Sequence, residues 1–139
     1  MRAFLDANIL FSAAKSDGAI RSLLDLLVKH GWECKADAYV VAEAERNLTS
    51  RYPESLSEFN KLLLKLQPCP VVTSSLSDIN LSQLPEKDRP VLAAAIFLKC
   101  DSLVTGDRTH FGAFFGKVLS GVKIYSPSQL AELLHSSKK

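Results

Sequence analysis

Cysteine is scarce in this sequence and long apolar runs are missing from it, and each shortage removes a class of protein. The three cysteines, Cys34, Cys69 and Cys100, are odd in number, far apart and form no CxxC. They read as reduced, buried thiols in a reducing compartment, not as a disulfide framework. The three histidines, His30, His110 and His135, form no HxxH and adjoin no cysteine pair, so the usual zinc spacings are missing too. No apolar stretch reaches membrane-spanning length. Asp6 and Asn8 interrupt the segment in which a signal peptide would carry its apolar core. Internal repeats, low-complexity tracts and linkers are likewise lacking. A cytoplasmic protein is expected.

What is present fits one domain. A chain of 139 residues, 47% hydrophobic and 23% charged, can bury a single sizeable core. A net charge of +2 and a pI near 8.5 permit contact with nucleic acid without requiring it.

Periodicity along the chain alternates between short apolar runs and helical patterns. Residues 2–6 and 102–105 read as buried strands, residues 32–36 and 122–125 as further strands, and residues 69–73 as a third strand in chain order. Between them, helices are expected over residues 8–14, 18–29, 37–52, 54–66 and 127–134, with another beginning at Asp88. The helix over 18–29 is expected to be largely buried and closed by Gly31 as its C-cap glycine. Asp37 caps the next, with Val40, Val41, Ala44 and Leu48 as its apolar stripe. Pro53 stops that helix and opens the following one. Ser126 and Pro127 have the residue types of an N-cap and first turn. The polar stretch 74–85 reads as a loop, and residues 136–139 as a disordered tail after a domain over 1–135. Strands alternating with helices imply a parallel sheet covered on both faces.

Four acids stand apart. Asp6 follows the first strand, and Asp107 follows Leu103-Val104-Thr105-Gly106 at the end of another. In open α/β sheets ligands bind beyond the carboxyl ends of strands, where the strand order reverses. Asp88 precedes Pro90 and an apolar helix. Glu43 and Glu45 flank the apolar stripe of the third helix, and periodicity does not choose between them. Taken singly, Asp6 reads equally well as an N-cap, Asp88 is more often an N-cap than a ligand, Asp107 fits a turn aspartate, and either glutamate is more often a solvated flank. Taken together, four carboxylates in one pocket would repel unless a cation held them. An all-oxygen set suits a hard divalent ion such as Mg²⁺ or Mn²⁺, which can activate water for attack on a phosphodiester.

The order of these motifs resembles a known family. Asp6-Ala7-Asn8-Ile9-Leu10 resembles the opening motif of PIN-domain ribonucleases, and Val40–Leu48 looks like their helix bearing the second acid, a pattern that selects Glu43. The run from Asp88 to Ala95 resembles the third-acid helix. Leu103-Val104-Thr105-Gly106-Asp107 with Phe111 resembles the fourth-acid strand. The resemblance runs from Met1 to about Leu134, and the length is similar to that of small stand-alone members such as VapC-like toxins. It implies a PIN-like three-layer α/β/α sandwich with a five-stranded parallel sheet. It also implies a metal-dependent endoribonuclease with Mg²⁺ or Mn²⁺ held by Asp6, Glu43, Asp88 and Asp107, supported by Asn8 and Thr105. Product ends would be 5′-phosphate and 3′-hydroxyl. Implied partners are an RNA substrate, a small antitoxin protein and a second copy of the chain, docked through the third and fourth helices. Asp101, at the opposite end of its strand, reads as structural. Arg89, Arg108, Lys117 and Lys123 are candidate phosphate contacts.

Other classes fit less well. A haloacid-dehalogenase-type phosphatase needs a second aspartate where Asn8 stands, and an acid beyond Gly106-Asp107 where the chain offers Thr109, His110 and Phe111. A response-regulator receiver domain needs paired acids at the first strand and a late lysine. A PIN-like RNA-binding scaffold with little turnover, or a housekeeping nuclease without an antitoxin, is separated from a toxin by experiment and not by pattern.

Overall fold

Ala3, Phe4 and Leu5 are successive apolar residues, so their side chains point to opposite faces of a strand. All three are fully buried, and the same holds for Leu103 and Val104. A sheet whose alternate residues are both buried must be covered on both faces. In the computed structural model, which describes residues 1–70 and 84–136, helices provide that cover.

The strands are β1 (Arg2–Leu5), β2 (Glu33–Lys35), β3 (Ser102–Val104), β4 (Val118–Leu119) and β5 (Val122–Tyr125). The described strands form one sheet in the order β2-β1-β3-β5-β4. The first four in that order run parallel, as expected, while β4 is antiparallel to β5. The sheet is therefore mostly parallel and closes with a short hairpin. Ser120 and Gly121, with φ of 51° and 84°, form its two-residue turn, where both positions need positive φ.

The helices are α1 (Ala7–Lys15), α2 (Ala19–Lys29), α3 (Ala38–Arg51), α4 (Leu56–Leu66), α5 (Arg89–Phe97), α6 (Arg108–Phe111) and α7 (Pro127–Ser136). Pro53–Ser55 forms a 3₁₀ turn that leads into α4. α5 packs on β1, β3 and β5, α2 on β2, and α7 on β5, while α1 lies among α2, α3 and α4. Helix α2 is less buried than its composition implies: Leu23, Leu24 and Leu27 face the core, but Val28 is 69% exposed. On α3 the buried stripe is Val40, Ala44 and Leu48. Ser126 and Gln129 exchange side-chain hydrogen bonds with each other's backbone N–H, both at 3.2 Å, a reciprocal cap at the start of α7.

Of the strand expected over 69–73, Cys69 makes a single parallel bridge to Asp37, and residues 71–73 lie outside the described residues. So do residues 74–83 of the expected loop and 137–139 of the expected tail. Ser136 belongs to the last turn of α7. No described helix is long and apolar enough to cross a membrane.

This topology positions the acids. From β1 the chain passes through α1 and α2 to β2 on one side, while from β3 it passes through α6 to β5 on the other. The order thus reverses between β1 and β3, and their carboxyl ends open a crevice there.

Candidate metal centre

The pairing of β1 with β3 extends one residue past the strands, because the Asp6 N–H donates to the Val104 carbonyl at 3.0 Å. Asp6 and Thr105 consequently face each other across the crevice. Asp6 caps α1: its Oδ1 accepts the Ala7 N–H at 2.7 Å. Its Oδ2 accepts the Thr105 hydroxyl at 2.9 Å and the Asn8 amide at 3.3 Å. The same hydroxyl accepts the Asp107 N–H at 3.1 Å and the Asn8 amide at 3.2 Å, and the Asn8 Oδ1 accepts the Gly106 N–H at 2.8 Å. Thr105, fully buried, is therefore the hub joining the loop after β1 to the loop after β3.

Asp107 caps the single turn of α6, its Oδ1 accepting the His110 N–H at 3.1 Å. Its Oδ2 lies 2.9 Å from His110 Nδ1, and the Asp88 Oδ2 lies 2.8 Å from the same nitrogen. Ligand atoms of Asp88, Asp107 and His110 all fall within 4.8 Å of one another. Asp88 is buried at the start of α5.

Glu43 enters from α3. It is half-buried, whereas Glu45 is exposed. The charge of Glu43 is felt at Asp6, whose carboxyl is pushed up to about 6, first by burial and then by Glu43 and Asp88, against the lowering effect of Thr105 and Ala7. Burial also raises the Tyr39 hydroxyl, with Glu43, Asp88 and Asp6 adding to the effect. Tyr39 thus borders the same cluster of charge.

The structure brings Asp6, Asn8, Thr105 and Asp107 into one hydrogen-bonded set and places Asp88 beside Asp107, while Glu43 acts on Asp6 through its charge. Two neighbours, Tyr39 and His110, lie outside the expected set. Both carry a readable signal: Tyr39 stands four residues before Glu43 and His110 three after Asp107, the spacings that share a helix face. Asp101 stays away, its Oδ2 accepting the Arg2 N–H at 2.7 Å at the opposite end of the sheet. Among the basic candidates, Arg89 donates to the Leu84 carbonyl at 3.1 Å and Lys123 lies over the Tyr125 ring. Arg108 and Lys117 are exposed. A cavity of about 570 Å³ between α2, β2 and α4 is lined by Leu24, Trp32, Lys35 and Leu66 among others, and none of the four acids lines it.

A divalent cation fits this donor set. Burial, with smaller additions from Glu43 and Asp88, has raised the Asp6 pKa, and an added positive charge would favour its ionised form. Carboxylate oxygens are the ligands that hard cations take.

The family described as PIN domain matches residues 2–109, a stretch that contains all four acids. No curated protein matches the sequence. Among solved structures, the chain is similar to VapBC2 from Rickettsia felis bound to a DNA fragment from their promoter. The TM-score is 0.69 and the identity 16%, over 91% of this chain and 98% of that one. An identity so low speaks for the fold alone, and the fold agrees with what the family match establishes over most of the length: this chain belongs to the PIN-domain family.

Proposed function

We propose that this protein is a metal-dependent endoribonuclease acting as the toxin of a toxin–antitoxin pair. The observation that supports this best is the Thr105 hydroxyl, which ties Asp6 to the Asp107 backbone and so gathers acids from separate elements at the strand-order reversal. Asp6, Glu43, Asp88 and Asp107 would hold Mg²⁺ or Mn²⁺, which when bound supplies a nucleophilic water and charge stabilisation for phosphodiester hydrolysis. The chain's own part is positioning. Thr105 and Asn8 fix the Asp6 carboxylate, and burial keeps bulk water from screening its charge. Arg108, exposed next to Asp107, would be a candidate phosphate contact. The substrate would be RNA, and the natural restraint a small antitoxin protein.

The test is cleavage of a labelled single-stranded RNA by wild type and Asp107→Asn, with Mn²⁺, Mg²⁺ or EDTA. Metal-dependent cutting that falls by at least about 100-fold in the variant is expected. Cutting that survives EDTA, or is equal in the variant, would remove the proposal. RNA retained without cutting would replace it with the binding-scaffold reading.

A further inference from the structure

We infer that His110 is a ligand of this metal centre, making it a mixed nitrogen–oxygen site that prefers Mn²⁺ and other first-row transition ions to Mg²⁺. The inference rests on the proposed metal centre and adds to it a donor that four carboxylates do not supply.

The geometry around Nδ1 carries it. Two carboxylate oxygens from different elements, Asp88 Oδ2 and Asp107 Oδ2, approach this nitrogen to 2.8 and 2.9 Å. The nitrogen is buried and yet makes no well-directed hydrogen bond. Distance is satisfied and direction is not. A ring N–H donates along one line in the imidazole plane, so it cannot serve two carboxylates on diverging lines. Ligand atoms of all three residues lie within 4.8 Å of one another, the closeness that donors to one shared ion need.

His110 is also held in place as a ligand must be. Its backbone N–H is capped by Asp107 Oδ1, so Asp107 grips the residue at its main chain while its other oxygen meets the ring. The next residue, Phe111, is fully buried and anchors the turn in the core. Its own N–H donates to the Asp107 carbonyl at 3.0 Å. The ring therefore keeps its bearing towards Asp88 without needing a metal to organise it.

The chemical consequence follows from donor type. Carboxylate and water ligands suit Mg²⁺ and Mn²⁺ alike, whereas imidazole favours the transition ions. One nitrogen in the shell therefore costs little for Mn²⁺ and is poorly used by Mg²⁺, which holds to oxygen ligands. The simpler alternative makes His110 a fixed counter-ion between Asp88 and Asp107, which a bound metal would have to displace.

Pulsed electron paramagnetic resonance of the Mn²⁺-loaded protein separates the two. Directly bound imidazole gives a ¹⁴N coupling that shifts when the protein is made with ¹⁵N-histidine and disappears in His110→Ala and His110→Gln. The labelled wild type makes the test independent of whether either variant folds. By titration calorimetry, His110→Ala should weaken Mn²⁺ binding by about tenfold or more and Mg²⁺ binding by no more than about threefold. Mn²⁺ bound by wild type and lost in Asp107→Asn, but without nitrogen coupling, would overturn the inference and leave the metal centre standing. Tighter Mn²⁺ binding in His110→Ala would overturn it in favour of the counter-ion. Wild type that binds no Mn²⁺ would overturn both.

Discussion

Asp6 combines two roles that oppose each other. As the cap of α1 and the acceptor of the Thr105 hydroxyl it organises the crevice. As a buried anion near Glu43 and Asp88 it is costly, with its pKa pushed from 3.8 to about 6. The sign of the effect is fixed by linkage. Between these two values the folded protein keeps a proton that the unfolded chain has released. Stability therefore falls as pH rises through that window, by up to about 3 kcal/mol once both states are ionised. Urea unfolding in EDTA should find the metal-free wild type more stable near pH 4.5 than near pH 7.5. Asp6→Asn should lose most of that difference. Saturating Mn²⁺ should reverse the trend in wild type, since a metal binds the ionised carboxylate and stabilises the state that binds it. A pH profile that Asp6→Asn leaves unchanged would show that the cost lies elsewhere.

Single elements differ in how far residue type announces them. Helix α2 ends with Gly31 at φ 78°, and the N–H groups of Gly31 and Trp32 close back on Val28 and Leu27. The glycine makes that ending legible in advance. Helix α5 ends the same way, with Lys99 and Cys100 donating to Ile96 and Ala95. Here the left-handed position belongs to Lys99, at φ 57°, and nothing in the residue type signals it. A side chain at that φ is strained where glycine is not. Lys99→Gly should therefore stabilise the protein by about 0.5–1 kcal/mol, read as a raised urea midpoint with unchanged slope. A lowered midpoint would mean that the Lys99 side chain contributes more than its backbone costs. Strand β4 is illegible in the sequence for another reason. Two half-exposed residues carry no alternation, although the Ser120-Gly121 pair after them is a turn signal. His110 belongs to no sequence-local ligand spacing, because its neighbour Asp88 stands 22 residues earlier, at the start of α5. What was legible, the acids at strand ends and the caps, depends on neighbours in sequence. What was not depends on neighbours in space.

For the molecule as a whole, the expected second copy meets an uneven surface. The exposed residues of α3 are mostly polar, whereas α4 shows Leu64 at 78% exposure beside half-buried Leu62, Leu63 and Leu66. Of the two helices expected at a dimer interface, α4 is thus the one with apolar surface to bury. Scattering should give a dimer mass at tens of micromolar, and Leu64→Glu should shift it towards monomer. A monomer mass at every concentration would exclude that pairing.

The hub at Thr105 has one more implication, which concerns when the site exists. Its hydrogen bonds to Asn8 and Asp6, with that of Gly106 to Asn8, join residues 97 to 99 positions apart in the chain. β3, at the middle of the sheet, can pair with β1 only once about three quarters of the 139 residues have been made. Contacts this distant in sequence are the last to form. A half-made chain carries Asp6 and Glu43 with no crevice to hold them. Asp6 and Asp107 can therefore meet only once β3 has paired with β1, so the crevice is a late product of folding.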